Sequence, residues 1–198
     1  MSKKTVILIS REYGSGGRAL GEKLAAVLNI PFYDREIILA SCKESGYNMS
    51  LFEKADKQSK HPITFFLSMY SSSVSPYDLS LNDQVFLIQS KVIREMAKES
   101  CVIIGRCADY ILRDDPDILR IFVHAPIEDR IIRVKEEYHD EDSDTEEKIK
   151  RIDKNRATYY NYYSNEKWGR LSNYDLSFNT SKIAIDTCVK MISHYIQN

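Results

Sequence analysis

The stretch Thr5-Val-Ile-Leu-Ile-Ser-Arg-Glu-Tyr-Gly-Ser-Gly-Gly-Arg-Ala-Leu20 runs from a continuous β-branched segment into three glycines within four residues. Apolar positions at helical spacing follow, at Leu20, Leu24, Ala25, Val27 and Leu28. A short apolar run without alternation is the pattern of a strand covered on both faces. The segment therefore reads as strand, glycine loop, helix. A loop in that position makes an anion site, because its backbone N–H groups turn inward and the helix dipole adds partial positive charge.

Working outward, residues 30–34 read as a second short strand ending in a carboxylate, and residues 101–105, 119–124 and 174–178 as three more. Between them lie helical patterns. Residues 81–99 carry Val85, Leu87, Ile88, Val92, Ile93 and Met96 on one side, and residues 127–163 are helical around an acidic stretch at 136–147. Thr180 or Ser181 is placed to cap a last helix bearing Ile183, Ile185, Val189 and Ile192. Strands alternating with helices predict an α/β fold with a largely parallel five-stranded sheet between two helical layers. Residues 44–81, with Pro62, Ser71-Ser-Ser73 and Pro76, read as a helical insert in one domain spanning residues 1–198, and 127–163 as a lid-like region.

Two ligand readings of the loop compete. As a phosphate-binding P-loop, GxxxxGK[ST], the frame Glu12 to Ala19 puts Arg18 at the lysine and Ala19 at the magnesium-binding hydroxyl. A frame one residue earlier puts Arg11 at the first glycine and Gly17 at the lysine. As a dinucleotide fingerprint, GxGxxG/A, the matching residues are Gly14, Gly16 and Ala19. Asp34 then stands twenty residues after Gly14, where a ribose-binding carboxylate belongs. On that reading the chain is an NAD(P)-binding oxidoreductase.

Composition narrows the classes further. A formal net charge of -1 over 198 residues argues against a general nucleic-acid binder. The four cysteines form no CxxC pair and suit a reducing compartment. The N-terminal apolar run is too short for a signal peptide, and no segment is long and apolar enough for a membrane span, so a cytoplasmic protein is expected.

Phosphoryl transfer needs alignment of donor and acceptor and positive charge on the equatorial oxygens. Arginines stand where such charge is useful. Arg106 follows the third strand, Arg130 and Arg133 share a helix face after the fourth, and Asp153 and Arg156 share another. With Arg18 they would converge on one end of a parallel sheet, and a dinucleotide site has no need of that many cations.

Ile9-Ser-Arg-Glu-Tyr-Gly-Ser-Gly-Gly-Arg18, Pro31-Phe-Tyr-Asp-Arg-Glu36, Val102-Ile-Ile-Gly-Arg106, Asp153-Lys-Asn-Arg156 and Tyr174-Asp-Leu176 together resemble the cytidylate kinase-like branch of the P-loop nucleoside monophosphate kinases. The resemblance implies a three-layer P-loop fold with an acceptor-binding insert and an arginine-bearing lid, ATP as phosphoryl donor, Mg2+, and a CMP-like or related small phosphorylated acceptor. The nucleotide-binding residues would be Arg11, Gly14, Ser15, Gly16, Gly17, Arg18 and Ala19, with Ser15 offering a hydroxyl toward magnesium. Asp34, Arg35, Arg106, Asp153 and Arg156 would hold the acceptor, and Arg130 and Arg133 would act from the lid. A non-catalytic nucleotide-binding regulator is the further alternative, because the lysine and hydroxyl of the usual loop are replaced.

Overall fold

A computed structural model describes residues 4–46, 49, 79–139 and 144–197. The apolar run forms β1 (Val6–Arg11), and the glycine loop leads into α1 (Gly17–Leu28). β2 (Phe32–Tyr33) and α2 (Arg35–Ser45) follow. After the insert come α3 (Leu81–Met96), β3 (Cys101–Ile104) and the short α4 (Ala108–Ile111). β4 (Ile118–His124), α5 (Ile127–Glu136), α6 (Thr145–Ser164), β5 (Leu176–Asn179) and α7 (Ile185–Gln197) complete the order. The expected insert, including Phe65, Phe66 and Tyr70, lies almost wholly outside the described residues, as do positions 140–143 of the acidic stretch.

All strand pairs are parallel and the sheet order is β2-β3-β1-β4-β5. β1 is central, flanked by β3 through Val6 beside Cys101 and by β4 through Val6 beside Ile118. That order decides between the two loop readings. In a dinucleotide-binding fold β2 lies beside β1, whereas here β3 separates them. Asp34 thus follows a strand that is not the neighbour of β1, unlike the ribose-binding carboxylate of that fold.

Alternation along β1 builds the three layers. Val6 and Leu8 face a core with Ile37, Phe86, Ile93 and Tyr163, drawn from α2, α3 and α6. Ile7 and Ile9 face the opposite core with Leu20, Leu24, Val189 and Ile192, from α1 and α7. On the first face the Phe86 and Tyr163 rings stack at 3.9 Å, and the Tyr163 hydroxyl donates to the buried Asp83 carboxylate at 3.3 Å. Ser80 caps α3 by accepting the Asp83 N–H at 3.2 Å.

One local expectation fails. Thr180 does not cap α7, which starts only at Ile185. Its hydroxyl instead donates to the Ser15 carbonyl at 2.7 Å, fastening the end of β5 to the glycine loop.

Candidate active site

The loop is shaped by two glycines in the left-handed region, Gly14 (φ 79°) and Gly16 (φ 77°), a conformation that side chains disfavour. Gly16 is the N-cap of α1 and Gly17 its first helical residue. The loop-ending glycine of the P-loop pattern is therefore Gly16, and the earlier frame is the correct one. Gly17 stands at the lysine, Arg18 at the hydroxyl residue and Arg11 at the first glycine. Arg18 sits at the rim of the hollow over the loop. Its side chain is 58% exposed and pairs with Asp34 at 3.0 Å and Glu22 at 3.0 Å.

Ser15 also departs from expectation. It is fully buried, and its hydroxyl donates to the Glu12 carbonyl at 2.8 Å. That hydroxyl is spent on the loop's own backbone. Among the described residues no group of three His, Cys, Asp or Glu side chains forms a metal site.

The loop carbonyls are tied down from below by the arginines that the resemblance assigns to a lid. Arg133 Nη1 donates to the Gly14 carbonyl at 2.8 Å, and Arg130 Nη1 donates to that of Tyr13 at 3.3 Å. Arg130 is buried, pairs with Asp153 at 2.5 Å and lies 3.6 Å from Glu12. Asp153 meanwhile accepts the Tyr13 N–H at 2.7 Å. The i,i+3 pair Asp153 and Arg156 is long, at 3.8 Å, because each member serves the loop end of β1 instead. Arg156 Nη1 donates to the Arg11 carbonyl at 3.0 Å.

Two hollows open at the carboxyl ends of the strands, where ligands bind in α/β sheets. One, of about 440 Å³, lies over the loop between Arg11, Gly14, Gly17, Arg18 and Ala19, with Asp34, Tyr138 and Arg156 on its walls. The other, of about 260 Å³, lies between the ends of β1 and β3 and the underside of α6. Arg11, Arg106, Arg156, Tyr159, Tyr160 and Trp168 are among its lining residues. Arg11 and Arg156 border both. Arg35, Arg130, Arg133 and Asp153 line neither, and Arg35 is an exposed residue at the start of α2. In the sequence Tyr159, Tyr160 and Trp168 read first as helix packing and only second as base-stacking residues; they pack the core and also line the second hollow.

Arg106 is delivered by an unusual turn. Gly105 (φ 68°), Arg106 (φ 59°) and Cys107 (φ 57°) are three consecutive residues in the left-handed region, which sharply reverses the chain after β3. Burial, together with the nearby guanidinium groups of Arg156 and more weakly Arg106, pulls the Arg11 pKa well below its ordinary range, with Asp34 partly offsetting. Burial likewise lowers that of Arg156, against the opposing pull of Asp153.

Asp109 is buried at the start of α4, next to Cys107 and Tyr160 of the second hollow's lining. Burial pushes its pKa up to about 6, with Tyr160, local amides and Arg120 offsetting part of the effect. A carboxyl raised in the native state from 3.8 favours folding while protonated, and that advantage is lost as pH climbs through about 6. Asp109→Asn is expected to be more stable than the parent at about pH 7 and to lose that margin near about pH 4. Thermal melts at the two pH values check it.

A model of the cytidylate kinase-like family matches residues 6–182. The crystal structure of an uncharacterized protein from Eubacterium ventriosum ATCC 27560 is 30% identical, covering 98% of this chain and 99% of that one, with a TM-score of 0.71. Shikimate kinase from Bacteroides thetaiotaomicron is 14% identical with a TM-score of 0.57, covering 99% and 100%. Shikimate kinase from Acinetobacter baumannii, in complex with shikimate, is 14% identical with a TM-score of 0.55, covering 99% and 94%. The last two likenesses are likenesses of fold. No curated protein matches. No helix among the described residues is long and apolar enough to cross a membrane.

Proposed function

Because this chain belongs to the cytidylate kinase-like family, we propose that it moves the terminal phosphoryl group of ATP onto a small phosphorylated acceptor of the nucleoside monophosphate class. The observation that carries this reading is the pair of hollows sharing Arg11 and Arg156 as a common wall. A donor lying over the loop and an acceptor beside Arg106 would meet at that wall, with guanidinium groups on the transferring phosphoryl oxygens. An acceptor phosphate oxygen attacks the γ-phosphorus, the bond to the bridging oxygen breaks, and ADP leaves. The loop amides and the first turn of α1 take the donor phosphates. Arg106 and Arg156 orient the acceptor. Arg130, Arg133 and Asp153 support the site by holding the loop backbone.

CMP is the acceptor favoured by the family resemblance at Gly105-Arg106 and Asp153-Lys-Asn-Arg156, although Cys107 stands where cytidylate kinases carry an Asp. The test is ADP release from ATP and magnesium with a panel of CMP, UMP, AMP and, as an unphosphorylated arm, shikimate. Release that depends on one monophosphate is the expected result. Turnover with shikimate alone would move the acceptor class. Tight ATP binding with no turnover on any acceptor would favour the regulator, a reading that the altered loop motif keeps in play.

A further inference from the structure

We propose that Arg11 supplies the cation that a lysine supplies in other P-loops, so that the charge over the donor phosphates comes from the end of β1 and not from the first turn of α1. The inference rests on the donor-site reading above and names the residue on which that site turns.

Room is the first argument. A Cβ built on Gly17 would lie 2.5 Å from Arg11 Cβ and 3.0 Å from Arg11 Cγ. Gly17 is helical, so it needs no glycine for its backbone; the absent side chain leaves space for the stem of Arg11. At the far end of that stem a Cβ on Gly105 would meet Nη1 of Arg11, although the left-handed φ of 68° already favours glycine there. Gly17 is thus the residue whose missing side chain makes the slot for the arginine stem. The exchange is reciprocal, because the pattern's first glycine has become Arg11 and its lysine has become Gly17, and the two side chains cannot occupy that space together.

Charge is the second argument. Arg11 borders both hollows, and no carboxylate among the described residues forms a salt bridge with it. Burial and the guanidinium groups of Arg156 and Arg106 make its own charge harder to hold, with Asp34 and Asp153 offsetting only part of that. A crowded, half-buried guanidinium gains from an anion that neutralises it. The competing cation on the loop, Arg18, is exposed and already paired with two carboxylates at the rim. A polyphosphate is the partner that Arg11 lacks.

The test measures binding of inorganic pyrophosphate, ADP and adenosine to the full chain. Arg11→Gln, close in size but uncharged, is expected to weaken pyrophosphate and ADP by about tenfold or more and to leave adenosine unchanged. Arg11→Gly should lose the same affinity, and the swap Arg11→Gly with Gly17→Lys should recover most of it. Undiminished pyrophosphate binding by Arg11→Gln overturns the inference, as does a folded swap no better than Arg11→Gly. Should the swap fail to fold, Arg11→Gln alone decides. A parent that binds neither pyrophosphate nor ADP refutes the donor site itself, a result distinct from a parent that binds and a variant that binds equally well.

Discussion

Asp153→Ala is expected to lose about 3–5 kcal/mol of stability, the loss typical when one member of a buried ion pair is removed. The carboxylate does two things at once. One oxygen meets Arg130, whose side chain is only 10% exposed, and the other accepts the Tyr13 N–H at 2.7 Å. Alanine leaves the guanidinium with Glu12 at 3.6 Å as its remaining carboxylate and strands a loop amide. The loss should fall toward the lower end of the range because Glu12 can compensate in part. Asp153→Asn should fall between alanine and the parent, since it keeps an acceptor for Tyr13 but removes the charge. Urea unfolding measures all three; an alanine variant within about 1 kcal/mol of the parent would mean the pair contributes little.

Arg156→Ala is expected to cut turnover by about 10²-fold or more, as for other removed transition-state donors, and to weaken ATP binding as well. Arg106→Ala should cost similarly in turnover while leaving ATP affinity close to that of the parent. The contrast follows from geometry, since Arg156 borders both hollows and Arg106 only the one beneath α6. Steady-state kinetics with the acceptor found in the panel, paired with direct ATP titration, separates the two. Equal loss of ATP affinity in both variants would show that the hollows do not divide donor from acceptor.

Much of this was legible in the chain itself. Unbroken apolar runs such as Val6 to Ile9 announced a doubly covered sheet, and the glycines after β1 announced its loop. The register of the loop motif was not legible. Whether Gly17 or Arg18 stands at the lysine depends on which glycine adopts φ > 0 and on what fills the space beside Gly17. That neighbour, Arg11, arrives from another element. The three-residue spacing of Arg130 and Arg133 correctly put them on one face, but spacing cannot say what a face meets. It meets loop carbonyls. Thr180 was misread for the same reason. A hydroxyl before a helix suggests a cap, and only the packed structure brings the Ser15 carbonyl to it.

The bend at residues 105–107 sets stability and activity against each other. Two side-chain-bearing residues wound in the left-handed sense cost roughly 1–2 kcal/mol each, and glycine would relieve either. Relief at Arg106 would remove the guanidinium that lines the second hollow, the group proposed to orient the acceptor. A library selected only for heat tolerance should therefore drift toward glycine at this corner, while one selected for turnover should keep the arginine and tolerate the lower melting point.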